Sequence, residues 1–487
     1  MGTNSLNRGY IGINQFNVNN GLPDTRNQYL NSVTTQSTPI TVSPTFSLDF
    51  TGTTWQSQVV FSRGGTATFL GSSGYITIAG PNVPRIQYDR LGNTLGLLIE
   101  PSVGVRWSYN NVGITGWGLA NILSSPGTAY NNIAFAPDGT TTGMFVVPNT
   151  TATSNHYLDA GQGVAVANVD GYLTHSIFCK KEQYTAVAIV VRRTSAPVNE
   201  YTAFIDLNNG NIYNEIYSDG SYGYCVVEPY PNNWWKISMT MKARDFTNQG
   251  VLIYPYPNNT FTSRSTAYAG SGTAGIYLWG SNFHGNPGPV QYINQNGMVT
   301  KAGDLCFISG NSFSSWYTYP SCFYMEYYNK PDKFNIAAYD GGNSDTQRST
   351  SSTTILSTPY RDKNTFFASN GEMIGNKSLF VECLGDYMTS NRGKTGYLQL
   401  NKMVFAITGT TFPYTLRFAL NGSDVQKIIT SDFNPQGITC MLFGSKGFII
   451  AGATTPSSIF GQYNGILREF RFYNSDFTDD QIKALTI

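Results

Sequence analysis

Carboxylates, imidazoles and thiols are the side chains that could carry chemistry here, and their spacing limits what they can do. Glycoside hydrolysis needs two carboxyl groups at a set separation across the scissile bond. The nearest acidic pairs are Asp340/Asp345 and Glu372/Glu382, and neither has the E-x-D-x-x-E spacing by which one strand presents such a pair. Three histidines, His156, His175 and His284, stand far apart, with no H-x₃₋₅-H spacing for zinc. No G-x-S-x-G, H-E-x-x-H or glycine-rich loop closed by Lys-Ser/Thr occurs. The chain is therefore expected not to be an enzyme and to need no cofactor. Calcium is the one metal with a candidate site. Asp340, Asn343 and Asp345 could supply oxygens from one loop, which otherwise reads as a plain surface turn.

Sugar binding asks for different residues: aromatic faces to stack on a pyranose, flanked by amides and acids. Tyr217, Tyr222, Tyr224, Tyr254 and Tyr256 lie in turn-rich stretches where their rings could be exposed. Trp234 sits on the polar side of an alternating stretch and is a sixth candidate. The competing use of each ring is core packing.

Composition narrows the class. Charged residues make up 12% of the 487, about half the usual share, and the formal net charge is +1. That leaves no basic surface for nucleic acid and no acidic tail. The aromatic content of 14% is ample for packed cores. No apolar run approaches the ~20 residues that would span a membrane, so no membrane insertion is expected. Met1–Leu30 has no apolar signal segment, so folding in a cytoplasm is expected. Six cysteines at wide spacing, without C-x-x-C, then read as free buried thiols.

The elements that must position these residues are strands. Asn233–Ala243 alternates strictly, with Trp235, Ile237, Met239 and Met241 on one face and Lys236, Ser238 and Thr240 on the other. Period two predicts a half-buried antiparallel strand. Thr185–Val191 runs apolar as an inner strand does. Phe204–Leu207 leads into Asn208-Asn209-Gly210, a hairpin turn, and Gly275–Trp279 is another strand. Thr478 and Gln481 have capping-box spacing, with Phe477 and Ile482 at staple positions, so one short helix closes the chain. The fold class expected is all-β: tandem β-sandwich or jelly-roll modules, an extended N-terminal arm and one short C-terminal helix.

The stretch Phe61–Glu100 adds a resemblance. Phe61, Arg63, Thr66-Ala67-Thr68, Asn82, Pro84-Arg85, Tyr88-Asp89 and Gly96-Leu97-Leu98-Ile99-Glu100 fall in step with the head-spike fibre domain of bacteriophage virion proteins. The chain departs from that pattern after Glu100, at Pro101–Arg106. Ala136–Thr141, Phe204–Gly210, Asn233-Trp234-Trp235 and Gly275–Gly280 resemble the carbohydrate-binding-module-like jelly roll of the same proteins. Asp304–Tyr317 and Gln462–Thr486 resemble their laminin-G-like, concanavalin-like module.

The resemblance implies four parts: an anchoring arm over 1–44, a head-spike-type β segment over 45–109, a jelly roll over 110–300 and a laminin-G-like sandwich over 301–487. It implies a structural virion protein, assembled in the host cytoplasm as a head- or tail-attached fibre, spike or decoration protein. The arm would dock on capsid, portal or tail proteins through residues such as Ile13, Phe16 and Asn20. The sandwiches would meet host-surface glycan or neighbouring virion proteins, and the assembly would be a homo-oligomer, with a trimer favoured. Two alternatives stand beside it: a capsule-degrading tailspike glycosidase, and an assembly, adaptor or cement protein without glycan binding.

Overall fold

The two ends of the chain build one sheet. In the computed structural model, strand Gly465–Tyr473 pairs with Ser321–Asn329 on one edge and with Phe46–Asp49 and Thr94–Ile99 on the other. Outward from Ser321–Asn329 come Gln399–Thr408, Thr415–Leu420 and Gln426–Ile429; beyond Thr94–Ile99 comes Ile86–Tyr88. The structure describes residues 42–109, 117–123, 133–151, 154–164, 172–193, 200–218, 222–242, 249–285, 288–294, 299–329, 352–354, 365–373, 376–384, 399–409, 414–429, 440–443, 446–448, 458–460 and 465–487. Residues 40–487 fall in one unit.

A second, smaller sheet of Val60–Ser62, Leu305–Ser309 and Cys440–Phe443 completes this sandwich. Its core mixes both chain ends: Leu48, Phe50, Trp55, Leu97 and Ile99 pack with Cys306, Ile308, Phe405, Phe443, Phe470 and Phe472. The segment 45–109, expected as a module of its own, therefore lends most of its strands to the C-terminal sandwich. Leu97, Leu98 and Ile99 are wholly buried; strand Gly465–Tyr473 pairs beside them, and Leu97 and Ile99 face the shared core. The jelly roll is accordingly an insertion in a split sandwich rather than the middle member of a row.

Glycine is required where these two ends meet. Gly96 has φ +139, and a Cβ there would lie 2.1 Å from the Leu467 carbonyl oxygen. Gly96→Ala is expected to lower the unfolding free energy by about 3 kcal/mol, through strain and a forced shift of the pairing. Urea unfolding of the two proteins checks it; equal midpoints would contradict this account of the junction.

The insertion has two sheets. The inner one runs Tyr222–Tyr230, Trp234–Lys242, Tyr172–Lys181, Ile276–His284, Thr141–Val146 and Ala134–Phe135, and Val103–Tyr109 joins it beside Ile276–His284. The outer one runs Asn211–Tyr217, Glu200–Asp206, Ala186–Arg193, Gln249–Tyr256, Tyr157–Val164 and Gly118–Ala120. Ile177, Ile189, Val191, Ile205, Ile237, Met239, Met241 and Ile253 fill the space between them. Ala186–Val191 is the inner strand its apolar run implied, and Asn208–Gly210 is the hairpin turn, with Gly210 at φ 75.

The alternating strand behaves differently from expectation. Its apolar face packs the core, but Lys236, Ser238 and Thr240 are buried too. Hydroxyl pairs make this possible: Ser176 meets Ser238 at 2.8 Å, and Thr174 meets Thr240 at 2.9 Å. The strand is buried on both faces because the segment around residues 288–293 crosses its polar side; Lys236 Nζ donates to the Val290 carbonyl there at 2.8 Å.

The closing helix, Asp479–Leu485, carries the reciprocal capping box of Thr478 and Gln481, and Phe477 and Ile482 are buried together. A four-residue helical turn at Asn311–Ser314 was not foreseen. Cys179, Cys225, Cys306 and Cys322 are free and buried, and burial pushes each thiol pKa upward.

Candidate functional site

The aromatic residues singled out for sugar stacking are mostly inside. Trp234 is fully buried, its indole donating to the Phe135 carbonyl at 2.8 Å among Phe178, Tyr230 and Trp279. The face that looked polar around it is an interior one, which is why the alternation misplaced it. Tyr224 is buried. Tyr254 and Tyr256 are buried on the outer face of the outer sheet, where Phe261 stacks on Tyr256 with centroids 4.6 Å apart. Tyr217 is half-buried, stacked on Tyr201 at 4.9 Å, with its hydroxyl donating to Glu215 at 3.1 Å. Turn-rich sequence flanked these rings, but the rings themselves lie on strands. Tyr222 is on a described strand, and its side chain lies outside the described residues. Ile13, Phe16, Asn20, Asp340, Asn343 and Asp345 also lie outside them.

The acidic pair Glu372/Glu382 falls on the hairpin Thr365–Met373/Asn376–Leu384. Glu382 is opposite Phe367 and Glu372 opposite Lys377, so their backbones are five residue pairs apart. That is about 17 Å along the strands.

What the structure does assemble is a buried ion network where the insertion leaves and rejoins the split sandwich. Its cations are Arg63, Arg85 and Lys301; its carboxylates are Glu100 and Asp304; all five are buried. Arg63 Nη1 donates to Asp304 Oδ1 at 3.0 Å, while its other nitrogens donate to the carbonyls of Gly65, Gly80 and Val83. Arg85 Nη1 donates to Glu100 Oε2 and to the Thr68 carbonyl, both at 2.8 Å, and Nη2 donates to Asp304 Oδ2. Lys301 Nζ lies 3.3 Å from Glu100 Oε2. The Gln291 amide donates to Glu100 Oε1 at 2.6 Å. A second buried pair, Lys236 and Glu228 at 3.1 Å, lies under the same crossing segment.

The backbone closes the clamp. Glu100 N donates to Asp304 Oδ2 at 2.9 Å, and Asp304 N donates to the Glu100 carbonyl at 3.0 Å. Just inside, Val103 pairs with Lys301. The outgoing and returning chains are thus bound to each other and to the turn 80–85.

The charges balance burial unequally. Burial pulls on the Arg85 guanidinium, but Asp304 and Glu100 outweigh it and its pKa is raised. Burial dominates at Arg63 and at Lys301, whose pKa values are lowered against the pull of Asp304 and Glu100. Nearby, burial holds His284 down to about 3, with Lys236 adding to the shift, and holds His175 at about 3, with His284 adding to it. Both network carboxylates are engaged by cations and amides, an arrangement that fixes structure and leaves no nucleophile or base facing solvent.

Arg63, Arg85 and Glu100 were visible in sequence as part of one segment. Some two hundred residues on, Asp304 was visible only as the start of the laminin-G-like stretch, and Lys301 and Gln291 not at all. Asp304 carried one signal: it directly precedes the apolar run Leu305–Ile308, which places an acid at the edge of a core. No protein-family model and no curated protein matches the sequence.

Proposed function

We propose that this chain is a structural protein of a bacteriophage virion, a head- or tail-attached fibre, spike or decoration protein. It holds its β-sandwiches outward for contact with host-surface glycan or neighbouring virion proteins. The observation that supports this reading is what the resemblance residues do. Arg63, Asn82, Arg85 and Glu100 are among the polar residues that carry the head-spike-like resemblance. Arg63, Arg85 and Glu100 are buried in the ion network, and Asn82 Oδ1 accepts from the Arg63 amide at 2.9 Å. A segment whose distinctive polar residues lock one module to another serves architecture, as a displayed spike requires. Surface neutrality fits the same use, since adhesion by hydrogen bonds and stacking is insensitive to salt.

In this reading residues 1–44 anchor the protein to the particle. Deleting them is expected to leave both sandwiches folded and to reduce particle incorporation at least tenfold, read by quantitative mass spectrometry of purified particles. Full incorporation of the shortened chain would overturn the anchor assignment. An assembly or cement role without glycan contact is the second reading, and it predicts the same truncation result with no glycan retention.

A further inference from the structure

Four of the sequence-predicted rings are buried and Tyr217 is half-buried, but other aromatic rings are left open. Phe135 is one, 49% exposed at the edge of the inner sheet, with Ile133 exposed beside it. Its backbone is fixed, because its carbonyl accepts from the buried Trp234 indole at 2.8 Å. Tyr75, from the head-spike-like segment, meets the Phe135 ring edge-on with centroids 6.3 Å apart. Tyr75 is itself fixed: Ile76 N donates to the Pro137 carbonyl at 2.9 Å, and its ring lies against Gly139.

A turn carrying two amides reaches the Tyr75 segment: a Cβ on Gly74 would lie 3.1 Å from the Pro231 ring. Asn232 and Asn233 are both exposed and directly precede Trp234 in the chain. Both hold left-handed backbone, at φ 59 and φ 61. Asparagine is the non-glycine residue that holds left-handed backbone most readily, so the turn presents two amides there. Asp138 precedes Gly139 in the turn against the Tyr75 ring, its Oδ1 already accepting from the Thr140 amide at 3.0 Å.

We propose that Tyr75 and Phe135, with Asn232 and Asn233, form a binding shelf for a neutral pyranose sugar. The inference rests on the glycan-contact part of the proposed function. The aromatic pair receives the C–H face of the ring, and the amides donate to and accept from its hydroxyls. A protein partner fits poorly, because a stable interface recruits about 20–30 residues a side.

The test is a glycan array carrying neutral hexose and N-acetylhexosamine oligosaccharides beside uronic- and sialic-acid ones, followed by calorimetric titration of the best neutral binder. The intact chain is expected to retain neutral oligosaccharides, and Phe135→Ala to weaken that binding about tenfold or more. The bond from Trp234 goes to the Phe135 backbone, so the variant keeps it; a thermal melt verifies the fold. Replacing Asn232 and Asn233 together by glycine suits the left-handed backbone, so stability should hold or rise while affinity falls. Undiminished binding in both variants would overturn the shelf and leave the glycan reading standing. Retention of acidic glycans alone would overturn the sugar class. Retention of no glycan by the intact chain would overturn the shelf and the glycan reading together.

Discussion

Asp304→Ala is expected to cost about 4 kcal/mol of unfolding free energy, the largest effect of any single side chain in the junction. Removing one partner of a buried ion pair typically costs about 3–5 kcal/mol, because the group left behind keeps its desolvation penalty without its counter-charge. Asp304 answers to two guanidiniums, Arg63 at 3.0 Å and Arg85, and also to the Glu100 amide at 2.9 Å. Its loss would leave Glu100 to face three buried cations. Urea unfolding gives the magnitude. Limited proteolysis gives the place: cleavage should rise first near Pro101 and Ala302, where the insertion joins the sandwich. Replacing Arg63, Arg85 and Asp304 together by apolar residues of similar volume should recover part of the loss, since buried ion networks often exchange for packed hydrocarbon at little net cost. A loss below about 1 kcal/mol for Asp304→Ala would mean that the clamp is dispensable.

Acid is expected to weaken the protein nearly as much. His175 and His284 are held neutral, with folded-state pKa values of about 3. In the unfolded chain an imidazole titrates near ~6.5. Between those values the unfolded state binds the extra proton, so this stability is fully present above about pH 6.5 and is lost as pH falls toward 3. Each imidazole approaches a slope of about 1.4 kcal/mol per pH unit in that window, and two withdraw about 3 kcal/mol between pH 6.5 and pH 5. Burial sets both shifts; at His284 Lys236 and Lys301 add to it against Glu100, and at His175 His284 adds to it, with Ser281 Oγ 3.0 Å from Nε2. Urea unfolding near pH 7 and near pH 5 measures the difference. The double variant His175→Gln, His284→Gln should flatten it. Equal stability at both pH values in the unaltered protein would contradict the buried neutral state of these rings.

Local pattern made the strands legible and left their partners hidden. Ala186–Val191, the Asn208–Gly210 turn and the Thr478–Gln481 capping box depend on neighbours in sequence, so period, turn chemistry and spacing sufficed. The split sandwich depends on Leu97 meeting Leu467 across 370 residues, and no local signal encodes that pairing. Burial on the second face of Trp234–Lys242 was hidden for a related reason. Polar alternation normally reports water, but here Lys236, Ser238 and Thr240 find hydroxyl, carbonyl and carboxylate partners brought in by distant segments. The same misreading moved Trp234 from the expected surface to the core. Phe135, an ordinary residue in sequence, is left open by the fold at the edge of the same sheet.

The most direct test of the account is the place of this chain on intact particles. Gold-labelled antibody raised against residues 42–487, viewed by electron microscopy on particles purified from a lysate that produces the chain, should decorate the capsid or the tail at regular positions. Label over the head would assign a head fibre or decoration protein, and label on the tail a receptor-facing fibre. Particles without label, with the chain recovered only in the soluble fraction, would contradict a virion protein altogether.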